Sequence, residues 1–230
     1  MSYTSANRHE AERRVPPAGR GAGAVIIALT AAFAFGAIDQ YLGALRSPFL
    51  TEISGMSAPW LLVPFLAGAS QAVWRRAVLV GLAATWLSVL AYVAMIVSPM
   101  EGTHLGPRPA GLVGSWNQLS PHLFLVTLAS QWLWFAGGMI IGPLYGWLGY
   151  RWRALQSGPA ALLAALPALL EPVARWLAGR SGLAHVIGLA FQWPSYGPAV
   201  IAEVAELALG LALTCAALTA IARSRTPGTA

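Results

Sequence analysis

The chain has 230 residues, 57% of them hydrophobic and only 10% charged, and its mean hydropathy is +0.62. That balance excludes an ordinary soluble domain. The net charge of +6 comes from 14 basic residues, all arginine, which sit at the ends of apolar runs and not in one patch. A nucleic-acid footprint is thereby excluded, and the arginines read as topology charge. Uncharged runs at 21–38, 53–74, 77–100, 109–150, 154–170 and 181–202 are each near or above the length of a membrane span. The expected fold is all-α, a polytopic transmembrane helical bundle of six spans. Cys215, the single cysteine, falls inside the last run, so neither a disulfide framework nor a cysteine metal site is expected.

Residues 1–20 carry Arg8, Arg13, Arg14 and Arg20 against Glu10 and Glu12, and read as a disordered basic cytoplasmic arm. No cleavable signal is expected, because the run after it leads into a full-length span. The first span is expected over 22–45. Small residues recur at every fourth position, Ala24, Ala28, Ala32 and Gly36, which lets another backbone approach closely. Asp39 and Gln40 lie in its far third. The second span, 58–73, opens on Pro59, whose missing N–H is harmless in a first turn. Trp60 suits an interfacial anchor, and Pro64 is expected to kink or loosen the helix.

Trp74-Arg75-Arg76 turns the chain into a third span, 77–98, apolar but for Thr85 and Ser88. The fourth, 121–150, is longer than a bilayer needs and is expected to tilt or break, at Pro143. Its Gly138, Gly142 and Gly146 form a doubled GxxxG that predicts a close helix contact. The fifth, 159–178, contains Pro167, Glu171, Pro172 and Arg175, the two charges forming an i,i+4 pair. The sixth, 197–222, carries Glu203 and Glu206 near its start, and 223–230 is a short cytoplasmic tail. The transmembrane domain is thus expected over 21–222.

Six spans put both termini on one side. With that side cytoplasmic, ten arginines face inward, while only Arg46, Arg108 and Arg180 face outward, with Arg175 inside a span. At 1.5 Å per residue, Glu203 and Glu206 then fall about 9 and 13 Å below the outer membrane end of their helix. Glu171 and Arg175 lie about 12 and 6 Å deep, and Asp39 about 10 Å. All five occupy the outer half, on three helices. Four carboxyls and one guanidinium cannot all stay charged in a dry core. One reading is an outward-facing acidic cavity that binds or passes a cation, a proton or a small cationic solute. The other pairs Glu171 with Arg175, a further carboxyl with Arg46 or Arg180, and leaves the rest as neutral hydrogen-bonding acids. His104, His122 and His185 share this side but lack a metal-ligand spacing, so no metal and no cofactor are expected.

Several resemblances follow from short motifs. Gly179-Arg180-Ser181-Gly182 is similar to the GxSG of rhomboid proteases, but no later histidine can serve as base and the motif is read in a loop. Glu171 and Arg175 match half of the EExxxR motif of CAAX-type membrane proteases, with Leu170 at the first Glu position. Size, span number and the small-residue first helix are similar to the substrate-binding subunits of energy-coupling-factor transporters. Through Asp39, Tyr41, Pro48, Pro59-Trp60 and Gly68, the stretch 36–68 resembles small multi-pass membrane proteins of GC-rich bacteria whose families have no assigned activity. These features lean away from an enzyme and toward a solute-binding or transport protein of a bacterial inner membrane. The alternative is a non-catalytic scaffold or assembly subunit. It would dock a membrane partner or a second copy through the small-residue faces 24/28/32/36, 138/142/146 and 208/212/216/220.

Overall fold

The computed structural model describes residues 18–45, 47, 50, 53–54, 56–98, 121–181 and 200–225. Among them are seven helices and no strand: α1 Ala18–Ala44, α2 Ser57–Ala69, α3 Trp74–Ile96, α4 Pro121–Ser130, α5 Trp132–Ala154, α6 Gly158–Ser181 and α7 Val200–Arg225. The rest of the expected arm, 1–17, and the long loops 99–120 and 182–199 lie outside the described residues. Helix α1 begins at Ala18, inside the stretch assigned to the arm.

The packing inverts the soluble pattern. The buried residues are mainly alanine, among them Ala32, Ala77, Ala84, Ala91, Ala165 and Ala217, while Ile27 is 71% and Ile140 70% exposed. Large apolar side chains outside and small ones between helices suit a lipid solvent, where backbones associate by close packing. In water the same surface would drive aggregation. Among the described residues, Gly21–Ala44 and Trp74–Ile96 are long and apolar enough to cross a membrane. Phe124–Ser130 and Trp132–Ala154 make a third candidate if taken together across their 57° bend. Ser57–Ala69 and Gly158–Ala174 are apolar but shorter. At 13 residues, α2 spans only about 20 Å, less than the hydrocarbon thickness.

The break in the fourth expected span falls at Gln131, not at Pro143. Ser130 Oγ donates to Thr127 O at 2.6 Å, while the N–H groups of Trp134 and Phe135 turn back to Gln131 O. These polar side chains and amides restart the helix locally. Pro143 stays inside α5, next to Gly142, whose close contact with α3 holds the backbone there. Pro64 likewise sits inside an unbroken α2, fully buried.

The glycine ladder of α5 meets α3 antiparallel. A Cβ on Gly142 would stand 2.9 Å from Leu82 Cα, and one on Gly81 2.5 Å from Gly142 O. On the neighbouring side, Gly68 of α2 abuts the carbonyl of Gly146, and Gly149 abuts that of Phe65. The small-residue face of α1 is also internal: Ala32 is buried, and Gly36 lies against the Ser88 carbonyl of α3. Ser88 Oγ donates between Ala32 O (2.8 Å) and Ala84 O (2.9 Å), a polar tie between two apolar helices. Two of the three faces expected to dock a partner are therefore consumed within the fold. Around α2, one core joins Phe65, Tyr145, Leu148, Ala160 and Ala164 of α2, α5 and α6. A second joins Ala32, Ala67, Val80 and Ala84 of α1, α2 and α3.

These contacts also sort the charges. Arg76 Nη2 donates to Gly21 O at 2.6 Å, Arg153 Nη1 to Ala69 O at 3.1 Å, and Gly158 abuts Ile221. The start of α1, the α2–α3 turn, the α5–α6 turn and the end of α7 thus share one end of the bundle. The carboxyl-bearing parts of α1 and α7 run toward the other.

Candidate functional site

The amino end of α2 is where two of the expected carboxyls converge. Its N-cap residue is Met56, which offers no side-chain cap. A helix start leaves backbone N–H groups without intrahelical partners. Here Met56 N–H turns back to Ile53 O at 3.2 Å, and Pro59 has no N–H to satisfy. The Ala58 N–H finds its acceptor 148 residues away: it donates to Glu206 Oε1 at 3.2 Å. Glu206 is fully buried, at 0% exposure. A carboxyl from α7 therefore supplies the acceptor that an N-cap Ser or Asp would provide locally, at the positive end of the α2 dipole.

Asp39 reaches the same turn from α1. It is 8% exposed, and the Trp60 indole N–H donates to its carboxyl. Trp60 is in turn held edge-on by Phe35 of α1 (ring centroids 5.2 Å apart) and by Tyr92 of α3 (5.8 Å). An interfacial anchor was the expectation for Trp60; in the structure it is the partner of a buried acid inside an aromatic cluster. Neither contact is legible in the sequence, since both join residues on different helices. The nearest hint is Pro59, which marks a helix start with one donor fewer.

Glu203 and Glu171 are half-buried. The α6–α7 pair runs antiparallel: Gly158 meets Ala217 and Ile221, and Gly210 meets Ala168 and Leu169. Continuing that register places Glu206 level with Glu171 and Pro172, and Glu203 level with position 175. The Arg175 side chain lies outside the described residues, as do those of Arg46, Arg180 and Glu52. His122 is exposed, and His104 and His185 lie outside the described residues. Among the described residues no group of three His, Cys, Asp or Glu side chains comes together. The Gly179-Arg180-Ser181 stretch ends α6 and is helical, not a loop.

Two apolar crevices lie among the described residues. One, between α2, α6 and α7, is lined by Ala58, Leu61, Ala164, Ala168, Leu209 and Leu213 and has no room for a water molecule. The other is an open apolar groove of about 370 Å³ on α1 and α3, formed by Ile26, Leu29, Thr30, Phe33 and Leu87. No carboxyl lines either. Comparison of the chain with models of known families, with curated proteins and with solved structures finds no match.

Proposed function

We propose that this is an integral membrane protein of six spans, with both termini cytoplasmic, in a bacterial inner membrane. It binds or passes a small cation or cationic solute at the carboxyl level of α1, α6 and α7. Supporting this is the burial of Glu206 and Asp39 toward the same end of an apolar bundle. The α6–α7 register brings Glu171 and position 175 to the level of Glu206 and Glu203. Buried acids in a membrane helix mark proton or ion sites by default. The arginine-only usage and the collection of arginines at the opposite end support the orientation and the bacterial origin.

The test is a thermal-shift and vesicle-uptake series with protons, alkali cations and small organic amines on the reconstituted protein. One of them is expected to stabilise the wild type, and the Glu203→Gln/Glu206→Gln variant to lose that response while remaining folded. A double variant that still responds would sink the reading.

A second reading, a scaffold or assembly subunit, draws on the one small-residue face left outward. Ala208, Ala212 and Ala216 of α7 are exposed. A partner or second copy that co-purifies in mild detergent, and is lost on Ala212→Leu but not on neutralising the glutamates, would favour it.

A further inference from the structure

Asp39 is the only aspartate in the chain, and its surroundings differ from those of Glu206. Glu206 serves a backbone donor, the Ala58 N–H, and can accept from it with or without a proton. Asp39, 8% exposed, meets a side chain instead, the Trp60 indole N–H. Phe35, four residues before Asp39 and on its face of α1, stands edge-on to that indole, and so does Tyr92 of α3. The carboxyl is thus held by a neutral donor that belongs to an aromatic cluster of α1, α2 and α3.

Among the described residues no cation faces it. Helix α1 packs against α3 and, more lightly, against α2. The α2 helix carries no titratable side chain, and α3 carries Tyr92 with Arg75 and Arg76. Those arginines mark the far end: Arg76 bonds Gly21 O, about 27 Å along α1 from Asp39. On α1 itself the other titratable residues are Arg20, near its start, and Tyr41. Across the first turn of α2 the nearest charged type is again an acid, Glu206 on Ala58, with Glu203 one turn before it. A carboxylate taken out of water with no cation beside it takes up a proton in preference to staying charged.

The same surroundings select the ligand. A metal cation is held by several oxygens, whereas the contact of Asp39 is an N–H donor backed by rings. An organic cation needs a cavity, and neither crevice is lined by Asp39, Phe35, Trp60 or Tyr92. A proton needs neither. We propose that the ligand bound at the carboxyl level is the proton, taken up and released on Asp39, with Trp60 as the residue that positions the carboxyl. One carboxylate oxygen gains H+ from water and later returns it, and no other bond changes.

This deepens the cation-site reading and rests on it, and the experiment lets the two fail separately. The full chain is made with aspartate isotopically labelled at its side-chain carboxyl carbon, reconstituted in lipid, and followed by infrared spectroscopy across the pH range in which it stays folded. Because Asp39 is the only aspartate, the label marks its carboxyl without any substitution. A carboxylic-acid C=O band carrying the isotope shift is expected, lost as the pH rises and restored as it falls. Asp39→Asn should remove it. Trp60→Phe should move it to higher frequency, since the donor is gone; an unmoved band overturns the positioning role of Trp60. Sodium, potassium or methylamine added at fixed pH should leave the band unchanged.

No labelled acid band at any pH overturns the proposal. So does a band that never titrates, which makes Asp39 a fixed hydrogen-bonding acid. A band that vanishes when one of the other cations is added at fixed pH overturns the proton as ligand and leaves the wider cation-site reading standing. That wider reading is sunk by a different result, a Glu203→Gln/Glu206→Gln variant that keeps its response in the uptake series.

Discussion

Replacing Glu206 separates its structural part from any ligand-binding part. Glu206→Gln keeps a carbonyl oxygen for the Ala58 N–H and removes the charge. The lost interaction with the α2 dipole is worth about 0.3–1 kcal/mol, up to ~2 in a partly buried setting. The relief of burying a charge acts in the opposite direction. Glu206→Leu fills similar space but leaves the Ala58 donor unpaired, which costs about 1–3 kcal/mol. Glu206→Ala adds a void at a position with 0% exposure, and the cavity acts in the same direction. The expected order of stability is Gln above Leu above Ala. At roughly 2–4 °C per kcal/mol for a chain of this size, a loss of about 2 kcal/mol lowers Tm by roughly 4–8 °C. Scanning fluorimetry of the detergent-solubilised variants reads this. If Leu or Ala at 206 melts with or above Gln, the bond to Ala58 contributes nothing and the cross-chain cap is refuted.

Trp60→Phe preserves the ring contacts with Phe35 and Tyr92 but removes the donor to Asp39. Stability should fall by about 1–3 kcal/mol, and the further change Asp39→Asn should cost little more, because the pair acts as a unit; a double-mutant melt checks this. Gly68→Ala and Gly149→Ala would push Cβ atoms into carbonyls of a facing helix, costing about 1–3 kcal/mol each. Gly137→Ala, with nothing within 4 Å of its Cβ, should be neutral or gain up to about 1 kcal/mol of helix propensity, and parallel melts compare the three. Ser88→Ala removes the α1–α3 tie and should cost about 0.6 kcal/mol, the average for such bonds between membrane helices. Cys215 is exposed on α7. In intact membranes a charged maleimide should leave it unlabelled, whereas denatured protein should react fully; rapid labelling in the membrane would place that face in water.

Much of the architecture was legible without coordinates, because long apolar helices leave strong local marks. Charge-free runs, arginines at their ends and glycines four apart located the helices and the α5 ladder. The break at Gln131 was missed because a proline is a conspicuous signal, while a Ser-Gln pair breaks a helix only when its side chains and amides bond locally. The short α2 was drawn too long for a related reason: apolar composition continues past Ala69, and only the turn at Ser70 and Gln71 ends the helix.

By itself the sequence determined the all-helical class, the apolar surface and the presence of acids within apolar runs, since each depends on composition along a single segment. Tertiary structure decided what those acids touch. Glu206 looked from its own helix like one wall of a cation site; packed, it is also the acceptor that starts α2, with Asp39 holding Trp60 one turn on. Periodicity places a residue on a face and at a depth. Which backbone donor it meets depends on how helices far apart in the chain come together, and that information lies in no single stretch.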